Sequence, residues 1–277
     1  MKFLQILAIA ALSLSVACTD QKVKNDNTSA VATPASSIKT ERVTYELNGK
    51  PYESFAAYSG SAKDKKPVVM VIPEWWGLTD YAKKRAEQLA ELGYFAMAVD
   101  YYGNGKAVEN PKDAQALAAP FYSDAALSKA TFEAAKQQLQ KFPQADASKV
   151  AVIGYCFGGA QALNMARQDP SLSGAVSFHG NLMTGVKPNN DKVKILVCHG
   201  ANDTFVPAKE MAAFKKEMDS AKIDYSVISY PNAVHSFTNP AATAISQKYN
   251  LKVAYNKEAD EKSWSDMKAF LERAFGN

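Results

Sequence analysis

Apolar residues along this chain fall in short runs separated by turns rich in glycine, proline and asparagine. Arg42 to Tyr58 alternates apolar and polar positions around Asn48-Gly49, which predicts a two-stranded hairpin. Pro67 to Ile72 is a continuous run of β-branched and apolar residues after its proline, the composition of a strand buried on both faces. Tyr94 to Val99, Val150 to Ile153, Leu172 to Phe178, Val193 to Cys198 and Tyr225 to Tyr230 read as further strands. Between them the period changes to that of helices. Ala82, Ala86, Leu89 and Ala90 form a stripe that begins after Thr79 or Asp80 and stops at Gly93. Phe132, Ala135, Leu139 and Phe142 mark a second, closed by Pro143, and Met211, Phe214 and Met218 a third. Trp264, Met267, Leu271 and Phe275 stripe a C-terminal helix. Gly103 to Tyr122 has no clear period and is expected to be a loop or lid over a pocket. Strands alternating with helices after an antiparallel start predict a mostly parallel central sheet with helices on both faces.

Composition adds little to this picture except at the N-terminus. With 277 residues, 47% apolar and 22% charged, the chain is an ordinary globular one, and no boundary splits the α/β region. The net charge of +4 contains no basic run, so no nucleic-acid partner is expected. Lys2 precedes an apolar run, Phe3 to Leu12, broken only by Gln5, and Leu14-Ser15-Val16-Ala17-Cys18 follows. Residues 1–17 therefore read as a bacterial export signal. Two cleavage chemistries remain open, lipidation at Cys18 or ordinary signal cleavage before it, and the lipoprotein reading is favoured because a polar tether follows. Residues 18–40 are expected to be that disordered tether and 41–277 the folded domain. The protein is then expected in the cell envelope, lipid-anchored through Cys18 in the periplasm or outer membrane, or alternatively soluble and exported.

The chemistry centres on Val150 to Ala162, Val-Ala-Val-Ile-Gly-Tyr-Cys-Phe-Gly-Gly-Ala-Gln-Ala. A buried strand passing at once into a helix through G-x-nucleophile-x-G is a nucleophile elbow, here with cysteine as the nucleophile. Cys156 would stand at a helix N-terminus, where free N–H groups favour negative charge. Its base must be one of three histidines, and in elbow hydrolases the chain order is nucleophile, acid, histidine. That order selects Asp203, after the strand ending at Cys198, and His235, in the loop after Tyr230. His179 and His199 end strands and fit structural or pocket-supporting roles. Cys198, inside a strand, reads as a small core residue, although an oxidising compartment would permit a Cys156–Cys198 disulfide.

Glu74 comes just after the buried strand ending at Ile72, so its carboxylate is expected in the mouth of the site or hydrogen-bonded. Glu74 with Gly77-Leu78, Gly154 to Gly159, Asp203 before Val206-Pro207, and His235-Ser236-Phe237 together resemble the dienelactone hydrolase family of α/β-hydrolases. The resemblance covers roughly Val43 to Phe275, and Gly-Tyr-Cys-Phe-Gly-Gly is its most specific part. It implies the α/β-hydrolase fold, a Cys156–Asp203–His235 triad, and a Glu74 that contacts the resting thiol. It further implies an oxyanion hole from the backbone N–H groups of Phe157 and Trp75. One departure stands out. Where the family carries a substrate-binding arginine after Asp100-Tyr101, this chain has Tyr102-Gly103-Asn104-Gly105-Lys106, and its four arginines, Arg42, Arg85, Arg167 and Arg273, lie elsewhere.

Trp76, Tyr101, Tyr102, His179 and Phe237 are the expected pocket residues, which makes the pocket largely aromatic. The expected function is cleavage of a small-molecule carboxylic ester or lactone through an acyl-cysteine, with no metal and no cofactor. A thioesterase or other acyl hydrolase on the same triad, and a lipid-anchored binding protein with little turnover, are the alternatives.

Overall fold

The structure, a computed structural model, describes residues 37–60, 64–182, 185–189 and 192–276. The expected export signal, Cys18 and the tether up to residue 36 lie outside the described residues. Strand β1 (Ile38–Leu47) begins earlier than the expected domain boundary at residue 41. Ile38 to Thr40 pair with Ser59 to Ala57 of β2 (Lys50–Ser59), which draws these residues into the sheet. Asn48 and Gly49 between the two strands both have positive φ, 53° and 73°, as a two-residue hairpin turn requires.

Six more strands complete the sheet: β3 (Lys66–Ile72), β4 (Phe95–Ala98), β5 (Ala145–Tyr155), β6 (Leu172–Phe178), β7 (Lys194–Gly200) and β8 (Asp224–Tyr230). Their order is β1-β2-β4-β3-β5-β6-β7-β8; β2 pairs antiparallel with β1 and β4, and β4 to β8 run parallel. This is the α/β-hydrolase fold, with a mostly parallel sheet and an antiparallel N-terminal hairpin. The strand pleat divides the core. Val68, Met70 and Ile72 enter one layer, while Val69 and Val71 enter the other.

The first layer receives α2 (Pro111–Ser123), α3 (Ala125–Gln137), α4 (Phe157–Gln168) and α5 (Ala208–Ser220), through side chains such as Phe121, Phe132, Leu163 and Phe214. The second receives α1 (Asp80–Glu91) and α7 (Lys257–Phe275), through Leu89, Met267, Leu271 and Phe275. Full burial of one such side chain contributes about 2 kcal/mol relative to exposure. A short helix, α6 (Ala242–Tyr249), precedes α7.

Two features position the site. From β3 the chain passes through α1 to β4 on one side, and from β4 it returns across β3 to β5 on the other. The strand order therefore reverses at β3, and a crevice opens beyond the carboxyl ends of β3 and β5. Residues 111–123, expected as loop or lid, are instead helix α2. Asn110 caps it by accepting from the Asp113 N–H at 2.9 Å, and Pro111 occupies its first turn.

Candidate active site

Cys156 follows β5 and precedes α4 with φ 54° and ψ −116°, a strained conformation for a residue with a side chain. The neighbouring glycines follow from that turn. A Cβ on Gly154 would come within 1.9 Å of the Gly158 carbonyl oxygen, and one on Gly158 within 2.1 Å of the Ile72 oxygen. Strand, turn and helix thus approach too closely for any side chain, and the sulfur is thrust forward at the start of α4.

Cys156, His235 and Asp203 come together as their order along the chain led one to expect. His235 Nε2 lies 3.1 Å from Cys156 Sγ, and its Nδ1 lies 2.9 Å from Asp203 Oδ2. The other oxygen of Asp203 accepts from the Phe205 N–H at 2.8 Å, which aims the carboxylate. Helix α5 starts at Pro207 with no side-chain cap, so Asp203 is spared that role. Burial alone would push the His235 imidazole down. A Cys156 thiolate and the Asp203 carboxylate outweigh it and hold His235 at about 10.

Glu74 is buried at the carboxyl end of β3, where Oε2 accepts from Asn239 Nδ2 at 2.6 Å. Oε1 has no hydrogen-bond partner among the described residues. Burial raises its pKa, against the opposing pull of Asn239, His235, Ser236 and Arg85. The expected contact between Glu74 and the resting thiol is not the one made. Asn239 holds the carboxylate, and the sulfur is turned to His235 instead.

The backbone N–H groups proposed for an oxyanion hole are oriented by their surroundings. Phe157 is the first residue of α4, whose leading N–H groups have no acceptor within the helix. At the other position, the Glu74 carbonyl accepts from the Gly77 N–H at 3.0 Å. In a trans peptide this turns the Trp75 N–H the opposite way. The Tyr102 hydroxyl donates to the Trp75 carbonyl at 3.0 Å and fixes the next peptide.

A cavity of about 530 Å³ opens over Cys156 and His235. Trp75 and Trp76, residues of α2 (Ala118, Ala119 and Tyr122), Phe205, and Ala242, Ile245, Leu251 and Val253 from α6 and the segment after it form its largely apolar wall. Among the described residues, no lysine or arginine lines it. Arg85 is buried against Asp260 and the Thr238 carbonyl, and Arg167 against Glu217.

Of the five expected pocket residues, only Trp76 lines this cavity. Tyr101 and Tyr102 are pulled inward because the Asp100 carboxylate gathers the N–H groups of Glu53, Tyr102, Gly103 and Gly105. Both rings then pack on Phe121 and Phe157. Phe237 is buried against His179 and Tyr230. His179 is buried beneath the site, where its Nδ1 faces the Cys156 N–H at 3.1 Å. His199 is partly buried and lowered in pKa by burial, away from the cavity lining. Cys198 is a free thiol, pushed up to about 12 by burial in the core, so the permitted disulfide is not formed.

Sequence reasoning missed Asn239, the α6 wall and the helical form of the α2 wall, which it placed over the pocket as a loop or lid. Asn110-Pro111 with Asp113 is a helix-start signal for α2. Ala242, Ile245 and Tyr249 recur at helical spacing, and Asn250 closes α6 in the left-handed conformation. Nothing in the sequence alone pairs Asn239 with Glu74, which lies 165 residues away.

A mostly parallel sheet whose order reverses beside a strained strand-to-helix turn is the architecture of an α/β-hydrolase. Residues 55–275 match the dienelactone hydrolase family, and the chain belongs to that family. The protein usf of Aquifex pyrophilus is 30% identical over 231 residues, 79% of this chain and 98% of that relative. The structure of a dienelactone hydrolase-like promiscuous phosphotriesterase from metagenomic libraries is 34% identical. It covers 86% of this chain and 99% of its own, with a TM-score of 0.80. Esterase 2 of Thermogutta terrifontis, phosphorylated by paraoxon, covers 84% of this chain and 94% of its own. It is 16% identical with a TM-score of 0.62 and shares the fold alone. The chain is a dienelactone hydrolase-like hydrolase.

Proposed function

We propose that this hydrolase cleaves carboxylic esters or lactones through an acyl-cysteine formed on Cys156. The observation that carries the reading is the unbroken line from Asp203 through His235 to Cys156, 2.9 Å and 3.1 Å long, at the base of an apolar cavity. At rest His235 already holds the proton given up by the Cys156 thiol, and Asp203 keeps its other nitrogen protonated and oriented. The sulfur attacks the carbonyl carbon, and the negative oxygen is received by the N–H groups of Phe157 and Trp75. Collapse of the adduct breaks the carbon–oxygen bond, and His235 returns its proton to the departing alkoxide. Water then adds to the thioester with His235 as base. The carboxylate leaves and Cys156 is restored.

A neutral substrate suits a cavity lined without lysine or arginine. Hydrolysis of a panel of aryl esters, thioesters, enol-lactones and a phosphotriester by the purified protein tests the reading. Ester or lactone turnover that disappears in Cys156→Ala supports it. Thioester preference would favour the second acyl-hydrolase reading, and no turnover would favour a binding protein. Export and lipidation at Cys18 are proposed from the sequence of residues 2–18. They are tested by whether Cys18→Ala releases a detergent-partitioning protein into the soluble fraction.

A further inference from the structure

His179 belongs to neither the triad nor the cavity wall, yet it is a buried titratable ring beside both. Its own backbone has φ 42°, in the left-handed region, and its main-chain N–H donates to the Cys198 carbonyl at 2.9 Å. The Cys156 N–H meets two acceptors, the Phe178 carbonyl at 2.9 Å and His179 Nδ1 at 3.1 Å. A peptide N–H can only donate, so Nδ1 must carry a lone pair. The proton is then on Nε2, which lies 2.8 Å from Thr238 Oγ1. Thr238 in turn lies 2.7 Å from the Tyr81 hydroxyl, which also receives Arg85 Nε at 3.3 Å. The bonds from Cys156 through His179 to Thr238 donate in one direction, which lets each polarise the next.

We propose that His179 is a positioning residue, a permanently neutral imidazole whose Nδ1 clamps the Cys156 peptide and sets the strained turn that presents the sulfur to His235. A protonated His179 would set an Nδ1–H against the Cys156 N–H, two donors face to face. It would also place a second cation beside His235, whose ring centroid is 5.3 Å away. The rings of Tyr155, from the end of β5, and Phe237, from the loop after β8, enclose it, and the cations that face it are His235 from the same loop and Arg85 from α1; a backbone hydrogen bond at His179 pulls the other way. Burial first, and His235 next, hold the His179 pKa well below that of an ordinary histidine. The two neighbouring histidines thus have opposite roles, one to carry the proton and the other never to accept it.

This inference rests on Cys156 being the nucleophile, but its test need not. Nitrogen-15 NMR of the wild-type side chains should find His179 neutral with the proton on Nε2 from about pH 5 to about pH 9. A proton on Nδ1, or an imidazolium within that range, overturns the proposal even if no variant folds. Three replacements separate the two ring nitrogens. His179→Asn keeps an acceptor near Nδ1, His179→Gln keeps a donor near Nε2, and His179→Ala keeps neither. In folded protein, both ester kcat and the rate of Cys156 alkylation by iodoacetamide should fall about a hundredfold in Gln and Ala, with KM unchanged. Asn should recover most of that loss, since displacement by about 1 Å can cost this much. Equal rates in Asn and Gln, or rates near wild type in all three, would overturn it. Alkylation needs no substrate, so a wild type that hydrolyses no ester would remove the hydrolase reading while the alkylation series still judges His179.

Discussion

Cys156 Sγ and His235 Nε2 lie 3.1 Å apart although 79 residues separate them in the chain. The proximity governs the charge of the imidazole. Burial disfavours the imidazolium, and the thiolate and Asp203 restore it. An NMR titration should therefore find His235 protonated until pH approaches about 10. In Cys156→Ala the largest of its favourable partners is gone, and the His235 pKa should fall. An unchanged value would mean that sulfur and imidazole are not electrostatically coupled.

Glu74 should restrain the thiol through space, since a carboxylate near a thiolate disfavours it. Glu74→Gln keeps an acceptor for Asn239 and removes the charge. Iodoacetamide should alkylate Cys156 faster in this variant at neutral pH, by up to about tenfold for about 1.4 kcal/mol of relieved repulsion. The difference should vanish in acid, where Glu74 is itself neutral. A slower reaction in the variant at neutral pH would show that Glu74 promotes the thiolate.

Selectivity should follow the cavity wall. Neutral aryl esters should be turned over at least as well as carboxylate-bearing lactones, because no lysine or arginine among the described residues lines the cavity. Lys106 is engaged through its backbone, where its carbonyl accepts from the Leu78 N–H at 3.0 Å, and it is not among the lining residues. Lys106→Ala should leave the preference unchanged. A strong preference for anionic lactone that Lys106→Ala abolishes would make its ammonium group a substrate clamp.

Stability should respond to His179 in acid. Its folded pKa is lowered, so below about pH 6.5 the unfolded chain binds a proton that the native state refuses. The stabilisation is fully present above that pH and is lost as pH falls, with a slope of up to about 1.4 kcal/mol per pH unit from this one group. His179→Asn does not titrate. Denaturant unfolding of the two proteins between about pH 4 and about pH 8 should thus give a stability difference that changes with pH only below about 6.5. A difference independent of pH would mean that His179 takes up its proton in the native state as readily as in the unfolded chain.

The parallel sheet and the grouping of Cys156 with Asp203 and His235 were legible because each rests on pattern along the chain. Val68 to Ile72 and Val150 to Ile153 are runs long enough to mark buried strands, and Gly154 and Gly158 record a steric demand of the turn. Cys156, Asp203 and His235 were picked out by their places after strands together with the nucleophile, acid, histidine order of elbow hydrolases. What was not legible depends on where a side chain turns after its strand ends. Tyr101 and Tyr102 look like pocket aromatics, but four N–H groups converging on Asp100 coil the loop and send both rings into the core. Phe237 and His179 are hidden for a related reason, since the ring of one packs against the other. The α2 wall was read as a loop or lid over the pocket, and its helix went unseen because the run of small residues Ala114, Ala116, Ala118 and Ala119 gives little hydrophobic contrast, although its cap was written in Asn110 and Pro111.

The most direct measurement mixes wild-type protein with a chromogenic aryl ester, quenches it within a turnover and determines the intact mass and the modified residue. One acyl group on Cys156 is expected, together with a burst of released alcohol. In Cys156→Ala, folded by circular dichroism, the adduct should be absent and hydrolysis lower by several orders of magnitude, as when other triad members are removed. Near-normal turnover by folded Cys156→Ala, or an acyl group carried on another residue, would contradict hydrolysis through an acyl-cysteine at Cys156.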